Sequence, residues 1–118
     1  MSRQNITPSE AIPTTTLLQC SGLAGETRTF IFTDGSIAYF DRIIRNSFEF
    51  TLFDNLGAGS VRVTYNHPEL DLSTYIDGAK TLKSGDSLYI EEIITSVKIY
   101  FIQSSIVEIV LKSAKEGV

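Results

Sequence analysis

Between residues 14 and 112, apolar residues recur at every second position, and most of them are β-branched or aromatic. Successive residues of a strand point to opposite faces, so a period of two marks strands covered on one side. Turn-forming Gly, Asp, Asn and Ser return roughly every 8 to 12 positions, a spacing typical of short antiparallel strands. No segment carries the three-to-four spacing of a long amphipathic helix. The pattern predicts an all-β chain. It is either a single antiparallel β-sandwich, jelly-roll-like, or a small β-barrel, with about 7–9 short strands.

Individual stretches sharpen this expectation. In TRTFIFTDGSIAYFDR, Asp34-Gly35 suits a two-residue type I′ turn, because both central positions need positive φ. Such a turn sets Phe32 opposite Ile37, Phe30 opposite Tyr39 and Arg28 opposite Asp41. FEFTLF alternates Phe48, Phe50 and Leu52 against Glu49 and Thr51, and VRVTY alternates Val61, Val63 and Tyr65 against Arg62 and Thr64. DNLGAGS between them is expected to use Gly57 and Gly59 for positive φ in a hairpin connection. Residues 67–83 are the least regular, and LDLSTYI within them is read as a short strand. Ser84-Gly85-Asp86 turns the chain into SLYIEEI.

The 118 residues make one domain, spanning 14–112. Residues 1–13, with Pro8 and Pro13, read as an extended arm or tail, and 113–118 as a C-terminal tail. Hydrophobic residues are 42% of the chain, enough for a core without disulfides, and Cys20 is the only cysteine. It is expected to be a small buried hydrophobe. The 10 basic residues are scattered among 14 acidic ones, which argues against nucleic acid as a partner. MSRQNITPSEAIP has no apolar signal region, and no apolar run reaches the roughly 18 residues of a membrane span. The expected setting is cytoplasmic, or within a particle assembled there, with no membrane insertion.

A search for chemistry returns little. His67 is the only histidine. Asn66, His67, Glu69 and Asp71 lack the spacing of a calcium loop and the ligand set of a zinc site, and Pro68 among them suggests a plain turn. No serine sits in a nucleophile elbow. Glu91 and Glu92 are neighbours on a strand, so they face opposite ways, one in solvent and the other toward a Lys or Arg. Among the tyrosines, only Tyr75 is expected to be free as a platform for a ligand. The expectation is therefore no catalytic residue, no metal site and no cofactor.

The closing stretch TSVKIYFIQSSIVEIVL decides the functional expectation. Read as a hairpin about Ser104-Ser105, it sets Ile102, Tyr100 and Lys98 opposite Val107, Ile109 and Leu111 on one face. Phe101, Ile99 and Val97 oppose Glu108, Val110 and Lys112 on the other. Both faces are then apolar, and the second needs a cover: the 67–83 segment, an apolar ligand, or another subunit. A subunit interface over Val97, Ile99, Tyr100, Phe101, Ile102, Val107, Ile109, Val110 and Leu111 is the leading expectation, since monomers rarely leave such patches wet. In architecture, though in no motif, the profile is similar to small virion or particle structural proteins. It implies a non-catalytic homo-oligomeric structural or assembly module, with itself and other particle proteins as partners. The alternatives are a small β-module that binds a carbohydrate or apolar molecule, and a small β-barrel enzyme with a site shared between subunits.

Overall fold

A computed structural model describes residues 15–39, 42–44, 47–74 and 77–112 of the chain. Among the described residues ten strands run in order: β1 (Thr15–Gly22), β2 (Thr27–Ile31), β3 (Ile37–Tyr39), β4 (Arg42–Ile44), β5 (Phe50–Asn55), β6 (Val61–Tyr65), β7 (Lys80–Leu82), β8 (Ser87–Ile90), β9 (Ser96–Phe101) and β10 (Ser105–Lys112). Two four-stranded sheets form, in the orders β1-β10-β5-β8 and β2-β9-β6-β7, and β3 pairs with β4 beside them. Every pairing is antiparallel. The partners nest: β6 with β7, β5 with β8, β2 with β9, and β1 with β10. This is one long ribbon folded over on itself, which is the jelly-roll form of a sandwich. No helix of the described residues is long and apolar enough to cross a membrane.

The core lies between the two sheets. Val61, Val63, Val97, Ile99 and Phe101 enter it from one sheet, and Phe53, Val107, Ile109 and Leu111 from the other, none more than 1% exposed. Phe32 and Phe48 add an edge-on ring pair with centroids 5.3 Å apart. A fully buried side chain of this kind contributes roughly 1.5–3 kcal/mol, so these residues dominate the stability.

Three expected hairpins do not form, and DNLGAGS is one of them, since β5 and β6 lie in different sheets. β9 and β10 belong to opposite sheets, and the chain crosses the sandwich between Phe101 and Ser105. Val97, Ile99 and Phe101 therefore meet Val107, Ile109 and Leu111 across the core, not side by side. The two apparent faces were the single inward faces of two strands. Likewise β2 pairs with β9, which sets Arg28 opposite Ile99 and Phe30 opposite Val97. The predicted partner Asp41 lies outside the described residues. Asp34 Oδ1 instead accepts the Ser36 amide at 2.9 Å, and Gly35 takes φ of 78°, a side-chain-mediated turn that delivers the chain away from β2.

Three local readings also change. Phe48 is 2% exposed and bridges to Ile94, but the strand proper starts at Phe50, so Thr51, Phe53 and Asn55 point inward. Phe50 and Leu52 consequently stand on the outer side. Residues 70–74 of LDLSTYI form no strand, and Tyr75 and Ile76 lie outside the described residues. Gly57 and Gly59 are absent from the positive-φ residues. Their value is close approach, since a Cβ at Gly57 would come 2.3 Å from Ser105 Oγ, and one at Gly59 2.3 Å from the Ser104 carbonyl.

Candidate functional site

The irregular segment after β6 is fixed by two cations on the outer side of the β2-β9-β6-β7 sheet. Lys98 Nζ donates to the carbonyl of Pro68 at 2.7 Å and also to that of Leu70. Arg62 Nη1 donates to the carbonyl of Leu72 at 2.6 Å, and its guanidinium lies 5.8 Å from the Tyr100 ring centre. Alternate carbonyls are thus held, and Leu72 is brought to 1% exposure without joining the main core. Long cationic side chains suit this use, because their stems cover apolar surface while their heads satisfy backbone oxygens.

Asn66 sets the start of the segment. It takes φ of 62°, a conformation that Asn tolerates better than most residues. Its Nδ2 donates to the Ile93 carbonyl at 2.8 Å, and its Oδ1 accepts the Thr95 amide at 2.8 Å. Both ends of the amide are engaged by the chain itself, so Asn66 is a positioning residue. Beyond it, Asp71 Oδ1 accepts the Ser73 amide at 2.9 Å. Hydrogen bonds from the Ser73 side chain and amide hold the Asp71 carboxyl below its ordinary range.

Between the segment, β7 and the β8–β9 connection lies a cleft of about 340 Å³, lined by Tyr65, His67, Asp77, Lys80 and Glu92 among others. The Tyr65 hydroxyl donates to Glu92 Oε2 over 2.8 Å. That bond, with burial and the Glu92 charge, raises the tyrosine above its ordinary pKa. Tyr65 therefore keeps its proton and serves as a hydrogen-bond donor. His67 Nδ1 stands 3.6 Å from Glu69 Oε2, with both groups largely in solvent. The lining supplies donors and acceptors, and its formal charges are two carboxylates against one ammonium.

The opposite outer side, on the β1-β10-β5-β8 sheet, carries a second hollow of about 350 Å³ between Glu49, Phe50, Tyr89, Glu91 and Lys112. Phe50 and Tyr89 pack with ring centres 4.6 Å apart. The Tyr89 hydroxyl donates to Glu91 Oε2 at 2.7 Å. Glu91 and Glu92 thus meet tyrosines, not the Lys or Arg expected.

The residues singled out in the sequence distribute as follows. Val97, Ile99, Phe101, Val107, Ile109 and Leu111 are core residues at 0–1% exposure. Tyr100 and Val110 are half-buried on the outer sides of β9 and β10, and Ile102 is half-buried in the connection between them. Tyr75 lies outside the described residues. Cys20 packs against the core, and burial pushes its thiol up to about 11. Tyr89, 54% exposed, was missed. Its signal was present in SLYIEEI, where inward Leu88 and Ile90 force Tyr89 outward.

No family model matches the chain, and no curated protein matches it in sequence. Among solved structures it is similar to HEPD of Streptomyces albus, determined with its substrate 2-hydroxyethylphosphonate and Fe(II) bound. The TM-score is 0.53 at 16% identity, over 88% of this chain and 19% of that one. The chain thus spans about a fifth of the length of HEPD, and at this identity the likeness is one of fold. It corrects the expectation of a non-catalytic homo-oligomeric structural or assembly module. The same β body occurs in an enzyme that holds a substrate, so it is no mark of virion or particle proteins. The apparently two-faced strands that supported that expectation are also resolved by the packing of the chain's own core.

Among the described residues the iron of HEPD has no counterpart. Fe(II) in a protein takes imidazole and carboxylate donors gathered in one place. His67 is the only imidazole of the chain, and it lies on an exposed loop. Among the described residues, no three of His, Cys, Asp and Glu converge, and the space between the sheets is filled by Phe32, Phe53, Ile99 and their neighbours. The described residues do not fit the metal.

Proposed function

We propose that the chain is a jelly-roll binding module whose cleft at Tyr65, His67, Asp77, Lys80 and Glu92 takes a small, neutral, polyhydroxylated molecule of the carbohydrate class. The observation that carries this is the lining itself. Hydroxyl, imidazole, ammonium and carboxylate groups surround one space of about 340 Å³, within the size range of small-molecule sites, about 300–1,000 Å³. Hydroxyl groups both donate and accept, and match such a mixed lining. Two carboxylates against one ammonium disfavour an anion, so the phosphonate bound by HEPD is not the expected ligand. The segment that forms one wall is already pinned by Lys98 and Arg62, so binding need not order it, which favours affinity. A cytoplasmic setting accords with the unpaired thiol of Cys20.

The test is a titration of the isotopically labelled protein with a panel of monosaccharides and polyols, read by amide chemical shifts. Shifts confined to residues 64–70, 77–80 and 92, lost in Glu92→Gln and Lys80→Met, are the expected result. Shifts elsewhere, or none at millimolar ligand, overturn the proposal. Consumption of the sugar in the same tube would replace binding by turnover.

A further inference from the structure

The cleft does not end at Glu92. A further hollow of about 350 Å³ is lined by Glu49, Glu91, Glu92 and Ile93, so it shares Glu92 with the cleft. It also shares Glu49 and Glu91 with the hollow at Phe50 and Tyr89. The three hollows make one path along the β8–β9 connection, from Tyr65 to Tyr89.

The two ends of this path carry the same set of groups. At one end the Tyr65 hydroxyl donates to Glu92, and at the other the Tyr89 hydroxyl donates to Glu91. An ammonium lines each end, Lys80 in the cleft and Lys112 in the far hollow. Between them Ile93, 52% exposed, presents apolar surface. The backbone beneath is fixed from both sides. Asn66 holds the Ile93 carbonyl and the Thr95 amide from the cleft side. From the other side Phe48 and Ile94 exchange both backbone hydrogen bonds, at 3.0 and 2.7 Å. A ligand laid along the path meets groups already in place, which lowers the ordering cost of binding.

We propose that the path binds a linear, neutral oligosaccharide, with one sugar unit in the cleft and a later unit on the Phe50–Tyr89 ring pair. The proposal rests on the cleft reading given above and extends it from a single sugar to a chain. A repeated set of groups suits a ligand with a repeating unit. Each sugar ring offers an apolar C–H face and a rim of hydroxyls. The face suits Tyr89, which is 54% exposed and backed by Phe50 with ring centres 4.6 Å apart. The hydroxyls suit the carboxylates and tyrosine hydroxyls beside it. Glu49, Glu91 and Glu92 along the path repel an acidic polysaccharide.

Amide chemical-shift titration of the labelled full chain tests it. The probes are glucose and N-acetylglucosamine, against the maltose, cellobiose and chitobiose series up to about six units. Affinity is expected to rise about tenfold or more from the single sugar to the longer members of one series, because the second contact is intramolecular. Shifts are expected to spread from residues 64–70 to 49–50 and 89–93. Tyr89→Ala is expected to remove the gain and leave the single sugar's affinity unchanged. Glu91→Gln reads the same loss where Tyr89→Ala disturbs the sheet. Cleft shifts from the single sugar with no gain on lengthening overturn this proposal and leave the cleft reading standing. A gain that survives both variants does the same. Longer oligomers that shift residues 49–50 and 89–91 but never the cleft overturn both readings, as does a failure of every sugar to bind.

Discussion

Arg62 donates to the carbonyl of Leu72 over 2.6 Å, and that bond lays an irregular segment over the outer side of β6 and β9. With the Lys98 bonds to Pro68 and Leu70, it converts loop into part of the fold. A hydrogen bond to a charged group contributes about 1.5–3 kcal/mol net. Arg62→Met and Lys98→Met are each expected to lower unfolding free energy by about that amount in urea titrations. Amide exchange should accelerate in β10 only as far as global stability falls, and by more in residues 68–74, where local opening is added.

A second anchor sits at the end of β5. Asn55, 1% exposed, donates from Nδ2 to the carbonyls of Gly59 at 2.7 Å and Leu82 at 2.9 Å. Its Oδ1 accepts from Ser105 Oγ at 2.6 Å and from the Gly57 amide at 3.3 Å. All four bonds are satisfied, and each buried partner left unpaired costs about 1–3 kcal/mol. Asn55→Ala is expected to cost at least about 3 kcal/mol by the same reasoning. Asn55→Asp keeps the acceptors, loses both donors, and is expected to be nearly as damaging. Thermal melts of the two variants decide whether the donors or the acceptors matter more.

The fold class was legible because inward parity survives in most strands. Val61 and Val63, Val97 to Phe101, and Val107 to Leu111 all alternate as a one-sided strand should. What parity cannot supply is the identity of the partner strand. Asp34-Gly35 and Ser104-Ser105 look like hairpin turns locally, yet β3 leaves β2 to pair with β4, and β9 and β10 go to opposite sheets. That choice is made by residues up to 97 positions apart, Thr15 with Lys112 at the extreme. The kink at Glu49 likewise depends on the Lys112 carbonyl, which accepts the Glu49 amide at 3.1 Å. For the site, Asn66, His67 and the turn at Pro68 were visible as a polar cluster. Tyr65, Lys80 and Glu92 join it only through the β6–β7 and β8–β9 connections, which no local pattern records.

Because the closing strands are separated by the core, Ile99 and Ile102 should respond differently to the same change. Ile99 is fully buried, whereas Ile102 is half-buried where the chain crosses between sheets. Ile99→Asp places an unpaired carboxylate in the core and is expected to abolish cooperative folding. Ile102→Asp is expected to fold, with a loss of no more than about 1–2 kcal/mol. If both variants unfold alike, the outer side at Ile102 is more tightly covered than its exposure implies.

Gly22 meets Phe101 where β1 hands over to β2. A Cβ at position 22 would lie 2.3 Å from the Phe101 ring, closer than any real contact. Gly22→Ala must therefore push a fully buried ring, and overpacking of this kind costs about 1–3 kcal/mol. Phe101→Leu leaves room for the new methyl at the cost of packing. In a double-mutant cycle the pair is expected to couple favourably by about 1–2 kcal/mol, because the second change relieves the first. Additivity within error would show that the backbone of β1 moves instead.

Cys20 makes the alkaline limb of stability informative. Burial raises its pKa from 9.0 to about 11, partly opposed by the charge of Arg28. The folded thiol keeps its proton at a pH where the unfolded one has lost it. Its contribution is thus fully present below pH 9 and is lost progressively as pH rises from about 9 toward 11. Tyr65 and Tyr89 are also raised, by their bonds to Glu92 and Glu91, and act in the same direction starting from 10.0. Cys20→Ala is therefore expected to flatten the decline that begins near pH 9 while leaving the later one. Urea midpoints at pH 8, 9.5 and 10.5 measure the difference, sampling either side of the thiol's ordinary 9.0 and below its raised value. The same burial predicts slow alkylation of the native thiol at pH 8, because the thiolate is the reactive form. An equal decline in both proteins between pH 9 and 10 would mean that Cys20 is more solvated than its packing against the core indicates.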